Sequence, residues 1–194
     1  MFRRKKSCGL ASKSKKLFHG TTVDFDRVCF RYSYVPADFG LGFYMTDDME
    51  KAKFRAREKA LDLGLDHYYV IEYVFLDNLA RLGGRMLELE RNLEWIRFVI
   101  TCRLKDMDMM GIDPDKRVCY QHGYSVVTGP SADGGNLNRI VEDYIGVDLT
   151  EDVLRDLDSR FGNSPYGKQY AICSERDVEI LLRKVRVYEF SIND

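Results

Sequence analysis

Asp38-Phe39-Gly40-Leu41-Gly42-Phe43-Tyr44-Met45-Thr46 is the stretch from which the rest of this 194-residue chain is read. Two glycines flank one leucine and an apolar-aromatic run follows, the pattern of a backbone that passes close to something flat before a strand begins at Phe43. Alone, Gly-x-Gly is an ordinary tight turn. Its weight comes from two further segments at strand edges: Phe18-His19-Gly20-Thr21 upstream and Gln169-Tyr170-Ala171-Ile172 far downstream.

Working outward, Lys16 to His19 reads as a strand ending at Gly20, and a second short strand is expected near Phe30 to Tyr34. Asp47 with Glu50 opens a helix whose apolar face is small: Ala52, Ala56, Ala60 and Leu63. His67 to Leu76 alternates, with Tyr69, Ile71, Tyr73 and Phe75 opposite Glu72, which predicts a half-buried strand. Leu89, Leu93, Ile96 and Ile100 recur at helical spacing, so a long helix is expected from Met86 to Leu104, with Trp95 in the core. A strand over Tyr124 to Val127 should stop at Gly129-Pro130. Helices follow over Asn136 to Ile145 and Thr150 to Phe161, then a loop from Gly162 to Lys168. Gln169 to Cys173 reads as a strand, Ser174 with Asp177 caps a helix over Glu175 to Leu182, and Val185 to Ile192 is the last strand. Short strands among helices without regular alternation predict an α+β fold with a mixed, largely antiparallel sheet. No Gly-x-Gly-x-x-Gly follows a strand and no Gly-Lys-Ser/Thr phosphate loop is present.

At 45% hydrophobic and 31% charged residues, the chain can bury one substantial core and is too charged for a membrane protein. No apolar run approaches bilayer length, and the basic start Met1 to Lys6 lacks the apolar segment of a secretion signal, so a cytoplasmic location is expected. Residues 1–16 carry seven of the 30 Lys and Arg and no acid, leaving 23 bases against 31 acids in the remainder. The expected organisation is a basic, flexible arm over 1–16 and a single domain over 17–194. Such an arm can engage nucleic acid or an acidic partner only locally, and a solvating tail is the plainer reading. The five cysteines (Cys8, Cys29, Cys102, Cys119, Cys173) are scattered without a Cys-x-x-Cys pair and read as reduced thiols. His67 and His122 have no ligand spacing, read as surface or loop residues, and no metal is expected.

The three strand-edge segments resemble the ADP-ribosyltransferase superfamily, in its His-Tyr-Glu class shared by diphtheria toxin and the poly(ADP-ribose) polymerases. Phe18-His19-Gly20-Thr21 is similar to the His-Gly-Ser/Thr strand, Gly42-Phe43-Tyr44-Met45-Thr46 to Gly-Ile-Tyr-Phe, and Tyr166-Gly167-Lys168-Gln169-Tyr170-Ala171-Ile172 to Tyr-Asn-Glu-Tyr-Ile-Val. A bacterial branch of that superfamily is more similar still, through Asp38 to Thr46, Glu94-Trp95-Ile96-Arg97-Phe98 and Gly129-Pro130-Ser131-Ala132-Asp133. The resemblance spans Leu17 to Leu182. It implies a split mixed/antiparallel β-sheet with helical insertions, NAD as co-substrate in the cleft, and mono-ADP-ribosyl transfer to a macromolecular acceptor, RNA, DNA or protein. A toxin or phage-defence role beside a small antitoxin protein is implied as well.

On that reading His19, Gly20, Thr21, Gly42, Tyr44, Thr46 and Phe54 bind NAD. His19 would bond a ribose hydroxyl, Gly20 would offer its backbone to the carboxamide, Tyr44 would offer a ring face, and Phe54 would represent a second aromatic on the following helix. Gln169, His19, Tyr44 and Asp133 form the expected catalytic set. Gln169 stands where the polymerases have their catalytic Glu. An amide can accept a hydroxyl's hydrogen bond but offsets little positive charge, so chain elongation is not expected. Gln169 could instead read a nucleobase edge, leaving Asp133, Glu175 or Asp38 as general base. Two alternatives remain: a catalytically silent module that binds NAD or nucleic acid, and an NAD glycohydrolase that uses water as acceptor.

Overall fold

Seven strands share one sheet in the computed structural model, which describes residues 14–33, 36–76, 85–108, 112–113, 122–132, 137–161 and 167–193. They are β1 (Lys15–Thr21), β2 (Phe43–Thr46), β3 (His67–Phe75), β4 (Met86–Glu88), β5 (Val126–Pro130), β6 (Lys168–Ile172) and β7 (Leu182–Ser191). Their order is β4-β5-β6-β2-β1-β3-β7, and only β4 and β5 run parallel. Five helices, α1 (Met49–Asp62), α2 (Leu93–Met107), α3 (Leu137–Glu142), α4 (Glu151–Arg160) and α5 (Glu175–Leu181), complete the mixed α+β architecture. No helix among the described residues is long and apolar enough to cross a membrane.

Strand parity sorts the residues onto two faces. On one, α1 lies over β1 and β3, while Trp95, Ile96, Val99 and Ile100 of α2 pack with Phe39, Val127, Ala171 and residues of α3 and α4. On the other, Leu17, Phe43, Met45, Ile71, Tyr170 and Ile172 pack with Val178 and Leu181. The alanine stripe Ala52, Ala56, Ala60 is buried as its spacing requires. Asp48 caps α1 by accepting from Glu50 N at 3.0 Å. Small side chains let that helix come close: a Cβ on Gly20 would sit 2.1 Å from the Ala52 carbonyl oxygen.

Several elements depart from expectation for local reasons. The helix expected from Met86 begins at Leu93, because Met86–Glu88 is captured as a parallel edge strand by β5, and Asn92 caps the helix by accepting from Trp95 N at 3.0 Å. Instead of a strand, Phe30–Tyr32 forms a 3-10 turn whose Phe30 N donates to Glu175 Oε1 at 2.6 Å. β3 is buried on both faces rather than one, since α1 covers Tyr68 and Val70, and Glu72 is held by Lys16 at 2.7 Å and by the Tyr188 hydroxyl at 2.7 Å. Lys15 and Lys16, assigned from sequence to the arm, belong to β1; residues 1–13 lie outside the described residues.

The sheet has a seam. β1 pairs with β3 along seven residues, but with β2 at one position alone, Phe18 opposite Thr46. On the Lys15 side the seam is closed by side chains: Lys15 Nζ donates to Asp47 at 2.6 Å and to the Tyr170 hydroxyl, which donates to Asp47 at 3.0 Å.

Candidate functional site

β1, β2 and β6 lie side by side, so the three segments singled out by sequence do meet. Phe18 faces Thr46, and Thr46 faces Gln169. Their side chains do not share one face, however. Tyr44, Thr46 and Gln169 project with Gly20 toward the helices, whereas His19 projects with Phe43, its ring 4.4 Å from that of Phe43 and 5.8 Å from that of Phe25.

His19 lies where β1 and β2 part. Its Nδ1 is 2.7 Å from the Tyr44 carbonyl oxygen, bridging the two strands beyond their one backbone pair. A carbonyl only accepts, so Nδ1 carries the proton. Burial lowers the imidazole pKa to about 4, against a smaller opposing effect of the Tyr44 bond, and the ring is neutral at pH 7. Its Nε2 is then a bare acceptor, suited to a hydroxyl donor.

On the helical face the hub is Asp38, 5% exposed. Its Oδ1 accepts from Arg103 Nε at 2.9 Å and Nη2 at 2.5 Å, and its Oδ2 from Ala132 N at 2.8 Å and Gln169 Nε2 at 2.6 Å. One carboxylate thus ties the 38–42 turn to α2, to the segment after β5 and to β6. With every oxygen committed to a donor it is a strut rather than the general base considered from sequence. Glu175, another candidate base, is held by Phe30 N. Asp133 lies outside the described residues.

The remaining expected ligand-binding groups are largely occupied by their own chain. The Tyr44 hydroxyl accepts from Phe39 N at 2.8 Å and donates to Gly40 O at 2.7 Å, and its ring stacks 6.4 Å from Phe39. Burial, then the nearby Asp38 charge, raises its pKa well above the usual value. Thr46 Oγ1 donates to Lys168 O at 3.2 Å and accepts from Asp48 N at 3.2 Å, while Thr21 Oγ1 turns back on Val23. The closeness that the glycines permit is to protein: Gly20 meets α1, and a Cβ on Gly42 would lie 3.0 Å from Ile172 O. Phe54 is 47% exposed and sits about 200° around α1 from both Ala52 and Ala56, so it faces away from the sheet.

Sequence reading missed Arg103 and Asp106. Both fall on the α2 stripe that runs through Ile96, Val99 and Ile100, and a charge on an apolar stripe is the signal of a buried pair. Asp106 is fully buried, accepts from Ala37 N at 3.0 Å and has its pKa raised to about 6 by burial. His122, expected at the surface or in a loop, lies outside any helix or strand and is half-buried: Nδ1 accepts from Tyr124 N at 3.2 Å, and Nε2 lies 3.3 Å from Phe39 O and 3.7 Å from Cys173 Sγ. Among the described residues no three His, Cys, Asp or Glu side chains are grouped to hold a metal.

Two neutral acceptors therefore lie near these strands on opposite faces of the sheet, one at the seam and one on β6, a strand beyond it. His19 Nε2 is one, and Gln169 Oε1, which takes no protein hydrogen bond among the described residues and is not sealed from solvent, is the other. No curated protein and no solved structure matches the chain. The profile of a family described as Protein of unknown function (DUF3990) matches residues 15–182, from the first residue of β1 to the first of β7. The chain belongs to the DUF3990 family.

Proposed function

We propose that the seam between β1 and β2 receives the nicotinamide riboside end of NAD and that the protein transfers ADP-ribose to a macromolecular acceptor. The observation that carries this reading is the parting of two central strands after Phe18–Thr46, with His19 on the β1 bank and Tyr44 on the β2 bank, and with Gln169 one strand further on, in β6 opposite Thr46. Among the described residues, backbone of β1 from His19 onward has no strand partner on its β2 side, which leaves groups around Gly20 to bond a carboxamide. His19 Nε2 and Gln169 Oε1 are acceptors matched to ribose hydroxyls. In the reaction the C1'–nitrogen bond breaks with its electron pair leaving on nicotinamide, and an acceptor nucleophile bonds C1' and releases its proton. With Asp38 and Glu175 committed, base strength comes from the acceptor itself or from a residue outside those described, and a single transfer fits better than chain growth.

Purified protein incubated with labelled NAD and either RNA, DNA or cell protein should release nicotinamide and label one acceptor class. His19→Asn, whose amide N–H can keep the bond to the Tyr44 carbonyl while nothing stands at the Nε2 position, should abolish both while the circular dichroism spectrum is retained. Turnover without an acceptor would make the protein a glycohydrolase instead. The commitment of Asp38 and Glu175 favours a second reading, a binding module without turnover. Calorimetric heat with NAD but no nicotinamide would select it, and neither heat nor nicotinamide would defeat both.

A further inference from the structure

We propose that Asp38 and Arg103 are positioning residues for Gln169: they fix its amide nitrogen inward, so that Oε1 is the atom left to a ligand on the helical face of β6, and they make a neutral amide obligatory at position 169. The identity of the ligand rests on the NAD reading above; the fixing of the amide does not.

A carboxylate has about four lone-pair positions. Those of Asp38 meet four donors, two from Arg103, one from Ala132 N and one from Gln169. The amide therefore has a single allowed orientation. Flipped, it would set Oε1 against Oδ2 at 2.6 Å, two acceptors with no proton between them. Because the Arg103 guanidinium offsets the charge of Asp38, the carboxylate orients the amide without lending that face negative charge. Its own rotamer is held from three directions, by α2, by Ala132 and by β6. The group best recognised by the outward carbonyl oxygen is a hydroxyl donor. A carboxylate at 169 would face another carboxylate, so the amide is the residue this hub requires rather than a weakened stand-in for an acid.

Side-chain amide NMR and a pH series test this together. In wild type the Gln169 amide protons should be displaced from free-glutamine positions and slow to exchange, and Arg103→Lys, which keeps the charge but not the fork, should move them toward those positions. Gln169→Glu should unfold at lower urea than wild type at pH 8. That gap should close by pH 5, because the added carboxyl, its pKa raised beside Asp38, binds a proton in the folded state and then donates to Asp38. Gln169 resonances at free-glutamine positions, or a Gln169→Glu gap equal at both pH values, would overturn the proposal. NAD added to wild type should shift the Gln169 resonances. A fixed amide that NAD leaves unmoved refutes the NAD reading and leaves the fixing intact.

Discussion

Replacing Asp38 by Ala removes the one acceptor shared by Arg103, Ala132 N and Gln169. Arg103 is 8% exposed, so its guanidinium loses the Asp38 carboxylate in a low-dielectric setting, and breaking a buried pair typically destabilises by about 3–5 kcal/mol. An unpaired Ala132 N–H adds on the order of 1–3 kcal/mol, part of which overlaps because the vacated space admits water. A loss of about 4 kcal/mol is therefore expected, a large fraction of the roughly 5–15 kcal/mol that holds a typical domain together. Arg103→Met should cost about as much, by stranding the carboxylate. The double variant Asp38→Ala/Arg103→Met removes both charges and leaves mainly the Ala132 N–H and the Gln169 amide unsatisfied, about 1–3 kcal/mol. Equilibrium urea unfolding with a common slope reads the four corners of this cycle. If the two single losses simply add in the double variant, or if Asp38→Ala shifts stability by less than about 1 kcal/mol, the hub is not what anchors the 38–42 turn.

Gly20→Ala should destabilise by upward of about 3 kcal/mol, beyond the usual range for overpacking, because its new carbon meets backbone 2.1 Å away; Gly64→Ala, with nothing within 4 Å but a φ of +66°, is the milder control by the same urea assay. Tyr44→Phe leaves Phe39 N and Gly40 O unpaired and should cost about 1–3 kcal/mol, so any activity it loses should track unfolding, and a stable but inactive Tyr44→Phe would return the phenol to the chemistry. His19 is depressed to about 4 from 6.5, so the unfolded chain takes up its proton first and the stability contribution is lost as pH falls from about 6.5 to about 4; a His19 ring resonance titrating near 6.5 would refute the burial argued above as the cause of its neutrality. Asp106 has the opposite sign: its pKa, raised to about 6, means stability is lost as pH rises from about 4 through 6, so Asp106→Asn should unfold at higher urea than wild type at pH 7.5, with the advantage gone by pH 4.

Elements whose boundary is written in local chemistry were legible from sequence. Ser174 with Asp177, Thr150 and the 52–56–60 alanine spacing each marked an observed helix, and the alternation over residues 67–75 marked β3. Where tertiary capture decided, local pattern misled: Met86–Glu88 sits on apolar spacing that continues into α2, yet β5 recruits it as a strand. The site was legible as a set of neighbouring strands and not as a set of contacts. Period-two alternation puts His19 and Gly20 on opposite faces whatever their motif, and only register tells which face meets Tyr44 and Gln169. The glycines signalled close approach without saying to what, and the partner is backbone of Ala52 and Ile172. Asp38 drew attention as a possible base, but a carboxylate's role depends on how many donors surround it, and all four come from groups at least 65 residues away.

A sheet joined through its middle by one rung is two ribbons of strands, β4-β5-β6-β2 and β1-β3-β7, with α1 and α5 packed across the join. In backbone bonding the join holds one pair, beside the His19 bridge and the Lys15 contacts, whereas β1 and β3 share a ladder seven residues long; the apolar packing of Leu17 and Ile71 with Phe43, Met45 and Ile172 spans the join. Amide exchange should therefore be quicker along the β1–β2 join, where backbone bonding is sparse, than along the β1–β3 ladder.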